Sequence, residues 1–187
     1  MSLAIRKYFG TNLSGRLLGK KHFGQASELL SAVKPGEVVV LDFTGVEYVS
    51  ASWINAMLVP LSRRAAEVGN DFYLVLAGFP TNSIDDLQLV ADQNHLPFLL
   101  SGAAALPVLH ARLVGTLDAG QRATLAAAQE LGQATGAQLA AKRDVEGIKA
   151  TAWNNRLRDL HDKRLLFRQK RGREQIYEPI AKEIVYG

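Results

Sequence analysis

The chain has no cysteine. That excludes disulfide frameworks, thiolate zinc sites and cysteine nucleophiles, and it suits a reducing, cytoplasmic setting. Histidine is scarce too. His22, His95, His110 and His161 lie far apart and share no metal-ligand spacing. Glycine-rich phosphate loops of the common types are missing. The adjacent carboxylates Asp85 and Asp86 are better explained as charge at a helix start than as an acid–base pair. No catalytic residue, metal or cofactor is therefore expected, and the chain reads as a non-enzyme. No stretch approaches the ~18 apolar residues of a membrane span. Asp85, Asp86, Asp92 and His95 interrupt the most apolar region. The opening Met-Ser-Leu-Ala-Ile-Arg-Lys-Tyr has no basic segment followed by an apolar run, so no secretory signal is expected.

What is present is a length of 187 residues with 48% hydrophobic content. That is enough for one large or two small domains with real cores. The net charge of +4 is unevenly placed. Residues 1–117 carry nine basic and nine acidic side chains, whereas 118–187 carry 13 basic and nine acidic. The window 142–173 is sharper, with 11 basic against four acidic. A local basic patch of this kind suits a polyanionic partner.

Two apolar, β-type runs mark the first half, Val38–Phe43 and Phe72–Ala77. Continuous runs suggest strands covered on both faces, as in a parallel sheet. Between them, Ala51 to Val68 reads as a helix, with Ile54, Met57, Leu58, Leu61, Ala65 and Val68 at helical spacing and Gly69-Asn70 as its stop. Strand, helix, strand is a crossover unit of an α/β sheet. The pattern predicts a second helix from about Asn82 or Ser83 to Gln93, capped by one of those residues, and a short strand over Leu96 to Leu100. Upstream, Ser14 to Val33 reads as a helix with Leu17, Leu18, Phe23, Ala26, Leu29 and Leu30 on its apolar side, and Ile5 to Phe9 as an opening strand. Residues 101–117 read as a junction, with a short helix or edge strand at Leu106 to Leu113.

The second half changes character. Asp118 with Gln121, and Thr135 with Gln138, are capping-box arrangements at two helix starts. A third helix is predicted from about Lys149 to Asp162. Leu165–Gln169 and Glu174–Tyr177 then flank Lys170-Arg171-Gly172-Arg173, the pattern of a β-hairpin. On a helical wheel, Trp153, Leu157 and Leu160 stack on one side of the third helix. Trp153 is thereby read as core. Thr151, Asn155 and Arg158 lie opposite, flanked by Asn154. Such groups suit base edges in a major groove, amides with adenine and Arg with guanine. At the hairpin, Arg168, Lys170, Arg171 and Arg173 suit phosphates or a minor groove.

Three helices followed by a hairpin, with Ala134–Ala140, Ile148–Leu157, Leu160 and Lys163–Arg168 as they stand, resemble bacterial winged-helix regulators. The resemblance covers about residues 117–180. It implies that the second and third helices form a helix-turn-helix, that the third enters the major groove of duplex DNA, and that the hairpin contacts the backbone.

In the first half, Leu41-Asp42-Phe43-Thr44-Gly45-Val46-Glu47-Tyr48-Val49-Ser50-Ala51-Ser52-Trp53 leads from a strand into a helix start, with Ser50 as a good N-cap. Together with Gly10–Arg16 and Gly19, over about residues 3–100, it resembles the sulfate-transporter and anti-sigma-factor-antagonist (STAS) domain. The nearest resemblance is to STAS-like bacterial proteins often associated with histidine-kinase-type ATPases. In anti-sigma antagonists an Asp-Ser-Ser-Gly segment opens this helix and one serine is phosphorylated. Ser52 falls at that serine, while Ser50, Ala51 and Trp53 stand where Asp, Ser and Gly would be. Ser50 and Ser52 are thus the candidate regulatory serines.

The expected fold class is α/β, a STAS-like α/β sheet domain over 1–113 joined to a winged helix-turn-helix over 114–187. The expected function is a DNA-binding transcriptional regulator acting as a homodimer on double-stranded DNA, with the first domain serving partner binding, sensing or self-association. The alternative is a protein-interaction adaptor in a partner-switching pathway without DNA binding. An RNA-binding winged helix is a third option.

Overall fold

A computed structural model describes residues 1–143 and 147–186. Two of the four acidic groups in the 142–173 window, Asp144 and Glu146, lie outside the described residues. The chain divides into two units, Met1–Thr116 with Val185–Gly187, and Leu117–Ile184.

The first unit is built on the two apolar runs. They form β3 (Val38–Asp42) and β5 (Tyr73–Ala77), paired in parallel from Val38↔Tyr73 to Asp42↔Ala77. Val39, Val40 and Leu41 are fully buried, because both faces of the sheet are covered. The parallel neighbours are β1 (Ser2–Ala4) beside β3 and β6 (Phe98–Ser101) beside β5. Next come the antiparallel β7 (His110–Val114) and then, from the end of the chain, β10 (Glu183–Tyr186). The fold class is therefore α/β with a mixed, mainly parallel sheet. The sequence reading assigned the final residues to the second domain. Val185 and Tyr186 belong instead to the first unit.

Two helices pack together beside this sheet, α2 (Arg16–Leu29) and α3 (Ala51–Ala65). On α3, Ile54, Met57, Leu58, Leu61 and Ala65 of the expected stripe are buried, and Trp53 is buried with them. Val68 of that stripe is not. The helix ends at Ala65, and Val68 is fully exposed in the turn that follows. On α2 the buried positions are Gly19, His22 and Ala26, while Leu17 is exposed. Gly19 lets the two helices approach closely. A Cβ there would lie 2.8 Å from the Ala56 Cβ and 3.0 Å from the Trp53 carbonyl oxygen. Leu18, Phe23 and Leu29 are half-buried against the core and Leu30 is buried just past the helix, so of the expected apolar side only Leu17 faces solvent.

Other boundaries differ for local reasons. Ile5–Phe9 is a helix, α1, not a strand. Ile5 and Phe9, four apart, are both buried, as on one helical face. A pair of two-residue parallel strands, β2 (Asn12–Leu13) and β4 (Tyr48–Val49), falls below what alternation can reveal. A 3₁₀ turn at Thr81–Ser83 precedes α4 (Ile84–Asn94). Ser83 stands at the N-cap of α4, but neither its side chain nor that of Asn82 makes a capping hydrogen bond. The Ser83 hydroxyl accepts the Val49 N–H at 2.9 Å, and Asn82 donates to the Glu47 carbonyl.

The second unit contains α5 (Ala119–Leu131), α6 (Gly136–Lys142) and α7 (Ala150–Asp162), followed by an antiparallel hairpin of β8 (Leu166–Arg171) and β9 (Glu174–Pro179). Both capping boxes form, Asp118 with Gln121 and Thr135 with Gln138. Each satisfies two amides at a helix start. Leu125, Ala128, Leu139, Trp153, Leu157, Leu160 and Leu166 are buried together with Tyr177. Lys170 and Arg171 belong to β8. The connection is the two residues Gly172-Arg173, with Gly172 at φ +62°, where a side chain would be strained. A two-way backbone bridge ties Ala134, just before α6, to Tyr177 on β9, with N–H···O distances of 2.8 and 2.9 Å. That bridge holds the hairpin against the start of α6.

Candidate nucleic-acid interface

Within the second unit, α6, α7 and the hairpin enclose an open cleft of about 370 Å³. Thr135, Gly136 and Ala137 at the start of α6 form one wall, and Asn154, Asn155 and Arg158 of α7 the second. Arg168, Arg173, Glu174 and Gln175 of the hairpin form the third, with buried Tyr177 at the base. Five of the eight residues singled out for DNA contact, Asn154, Asn155, Arg158, Arg168 and Arg173, thus share one concave face. Thr151, Lys170 and Arg171 are exposed but do not line it.

The α7 side chains are held by the protein itself. The Asn154 Oδ1 accepts the Gly136 N–H at 3.1 Å. A Cβ at Gly136 would collide with that carboxamide and come within 2.7 Å of the Ala150 carbonyl oxygen. Gly136 is therefore required for α6 and α7 to meet. Arg158 donates to the Asn155 Oδ1 at 3.3 Å. Adenine pairing uses an Asn as acceptor and donor at once. Here both carboxamide oxygens are turned toward protein donors.

The base of the cleft is the buried Tyr177. Burial pushes the Tyr177 hydroxyl to a higher pKa, and the Arg168 and Arg158 guanidiniums partly offset it. Behind it, the His161 ring lies edge-on to Tyr177 with centroids 6.4 Å apart, and His161 Nδ1 is 3.0 Å from the Leu166 carbonyl oxygen. Burial lowers the His161 pKa below the ordinary value. Trp153 is in the core, 1% exposed, with Arg156 over its ring at 5.4 Å.

Not all of the local positive charge faces the cleft. Lys142 and Arg143 each contact Glu130 at 3.2 Å. They form a half-exposed cluster with α5 and are partly neutralised there.

Matches to other proteins add nothing to this geometry. Compared with protein-family models, curated proteins and solved structures, the chain matches none of them.

The candidate serines lie in the first unit, at the start of α3. Ser50 caps the helix by accepting the Trp53 N–H at 3.3 Å, and it also accepts the Gly15 N–H at 3.3 Å. The Ser52 hydroxyl is 3.1 Å from that of Ser50. Asp86, from α4, places a carboxylate oxygen 3.1 Å from the Ala51 N–H and 3.4 Å from the Tyr48 hydroxyl. The positive end of α3 thus already holds a carboxylate. By sequence Asp86 reads only as charge at the start of its own helix, and a separation of 35 residues leaves no local signal for this second contact. Among the described residues, no group of three His, Asp or Glu side chains is arranged to hold a metal ion, and no helix is long and apolar enough to cross a membrane.

Proposed function

We propose that the second unit is a winged helix-turn-helix that binds duplex DNA. In this reading α6 and α7 are the helix-turn-helix, α7 lies in the major groove, and the β8–β9 hairpin is the wing. The observation that carries it is the cleft itself. Three arginines and two asparagines, from elements separate in sequence, converge on one exposed face of a three-helix-plus-hairpin unit. Guanidiniums there offset phosphate charge, while the polar side of α7 supplies groups for base edges. The first unit is read as a STAS-like domain that binds a partner, senses a signal or self-associates. A homodimer on a two-fold site is the arrangement that gives a transcriptional regulator its spacing.

Titration of the full chain against labelled duplex DNA at several salt concentrations tests the reading. Binding that weakens steeply with salt is the expected result. No duplex binding at low salt would remove the DNA assignment and leave the protein-interaction adaptor.

A further inference from the structure

The hydrogen bonds inside the cleft constrain which base edges α7 can read. A backbone N–H can only donate, so its partner on Asn154 has to be the oxygen. A guanidinium can only donate, so its partner on Asn155 is likewise the oxygen. A backbone donor thus orients the Asn154 amide, and the Arg158 side chain that of Asn155. In each case the NH2 group is the one turned away from the protein partner. Arg158 adds further N–H donors beside them. With one acceptor site of each oxygen taken, the groups that α7 turns outward in the cleft are mainly donors, and the cleft's carboxylate, Glu174, stands on the hairpin wall.

We infer that α7 selects acceptor-rich major-groove edges, guanine above all, and that Asn154 is a positioning residue rather than a base reader. The inference rests on the DNA reading proposed above. In the major groove guanine presents two adjacent acceptors, N7 and O6. Adenine and cytosine each present an amino donor that faces the same donors unfavourably. Asn154 acts through Gly136. Its oxygen sets how the start of α6 meets α7, and so where Asn155 and Arg158 stand.

The test leaves the protein unaltered. Duplexes selected by the full chain from a random pool should share a guanine-containing core. Replacing those guanines one at a time with 7-deazaguanine removes N7, and loss of a bidentate contact weakens binding by about tenfold or more. Inosine keeps N7 and O6 and should bind as guanine does. A selected core without guanine, or one indifferent to 7-deazaguanine, overturns the inference while leaving DNA binding intact. Failure to bind any duplex at low salt overturns both. For Asn154, the N154A variant should keep the guanine requirement, weaken all duplexes alike, and lose hydrogen-exchange protection at the Gly136 amide. A changed base preference in N154A, with that amide still protected, overturns the positioning role.

Discussion

Removing Arg171 tests the electrostatic half of the DNA reading, and its effect can be worked out in advance. Four hairpin cations, Arg168, Lys170, Arg171 and Arg173, are exposed. Lys142 and Arg143 lie off the hairpin and share the single Glu130 carboxylate, which offsets about one of their two charges, so the count is of the hairpin alone. Each phosphate contact contributes about −0.9 to the slope of log affinity against log salt, so four contacts give about −3.6 per hairpin. Raising salt from about 50 to 200 mM should then weaken binding about 150-fold per hairpin, and about 40-fold with one contact removed. Fluorescence anisotropy with a labelled duplex at four salt concentrations measures the slope for wild type, Arg171→Ala and Lys142→Ala. Arg171→Ala should flatten it by about one unit for every sequence tested, and Lys142→Ala should leave it nearly unchanged. An unchanged slope in Arg171→Ala would refute the assignment of the hairpin to phosphates. A Lys142→Ala slope as flat as that of Arg171→Ala would refute the neutralisation by Glu130.

Four further outcomes are expected. Gly19→Ala should lower the urea midpoint, because overpacking against Ala56 costs about 1–3 kcal/mol and outweighs the helix-propensity gain of about 1 kcal/mol. Gly24→Ala, where an added Cβ meets nothing within 4 Å, should raise it. Asp86→Ala should destabilise the first unit by about 0.5–2 kcal/mol in thermal or urea melts, since the Ala51 N–H loses its acceptor at the start of α3, and an unchanged midpoint would refute that role. Stability should fall on acidification below the ordinary histidine value near 6.5. Burial lowers the folded-state pKa of both His22 and His161. The unfolded chain therefore binds protons first, and the loss grows from about pH 6.5 downward until the folded-state values are passed. For His22 the geometry agrees, because its Nδ1 accepts the Trp53 indole N–H at 3.0 Å and protonation would remove that acceptor. Urea midpoints that stay flat between pH 7.5 and 5 would contradict this.

Much of the fold is written locally. The capping boxes at Asp118 and Thr135, the Ser50 cap and the β-branched run at Val38–Leu41 depend on neighbours within a few residues. So does the core placement of Trp153 on its stripe with Leu157 and Leu160. Periodicity and side-chain chemistry suffice for such features, because the partner lies one or two turns away in the chain. Even here a short segment can mislead. Ile5–Phe9 carries too few residues to separate a helical face from an alternating one.

The site depended on distances the sequence does not contain. The polar face of α7 was legible from the wheel, but the direction of its amides was not. Asn154 is oriented by Gly136, 18 residues away, and Gly136 is needed only because α6 and α7 meet there. The hairpin reaches the cleft because Ala134 bridges to Tyr177. Lys142 and Arg143 belong to the basic window by sequence, but Glu130 of α5 partly neutralises them in the fold. Composition and periodicity determined which elements form and which faces are polar, since those follow from local propensity and burial. Tertiary packing decided which donors remain free, which charges are spent within the protein and where α3 finds its carboxylate, because each depends on two groups that only the folded chain brings within hydrogen-bond reach.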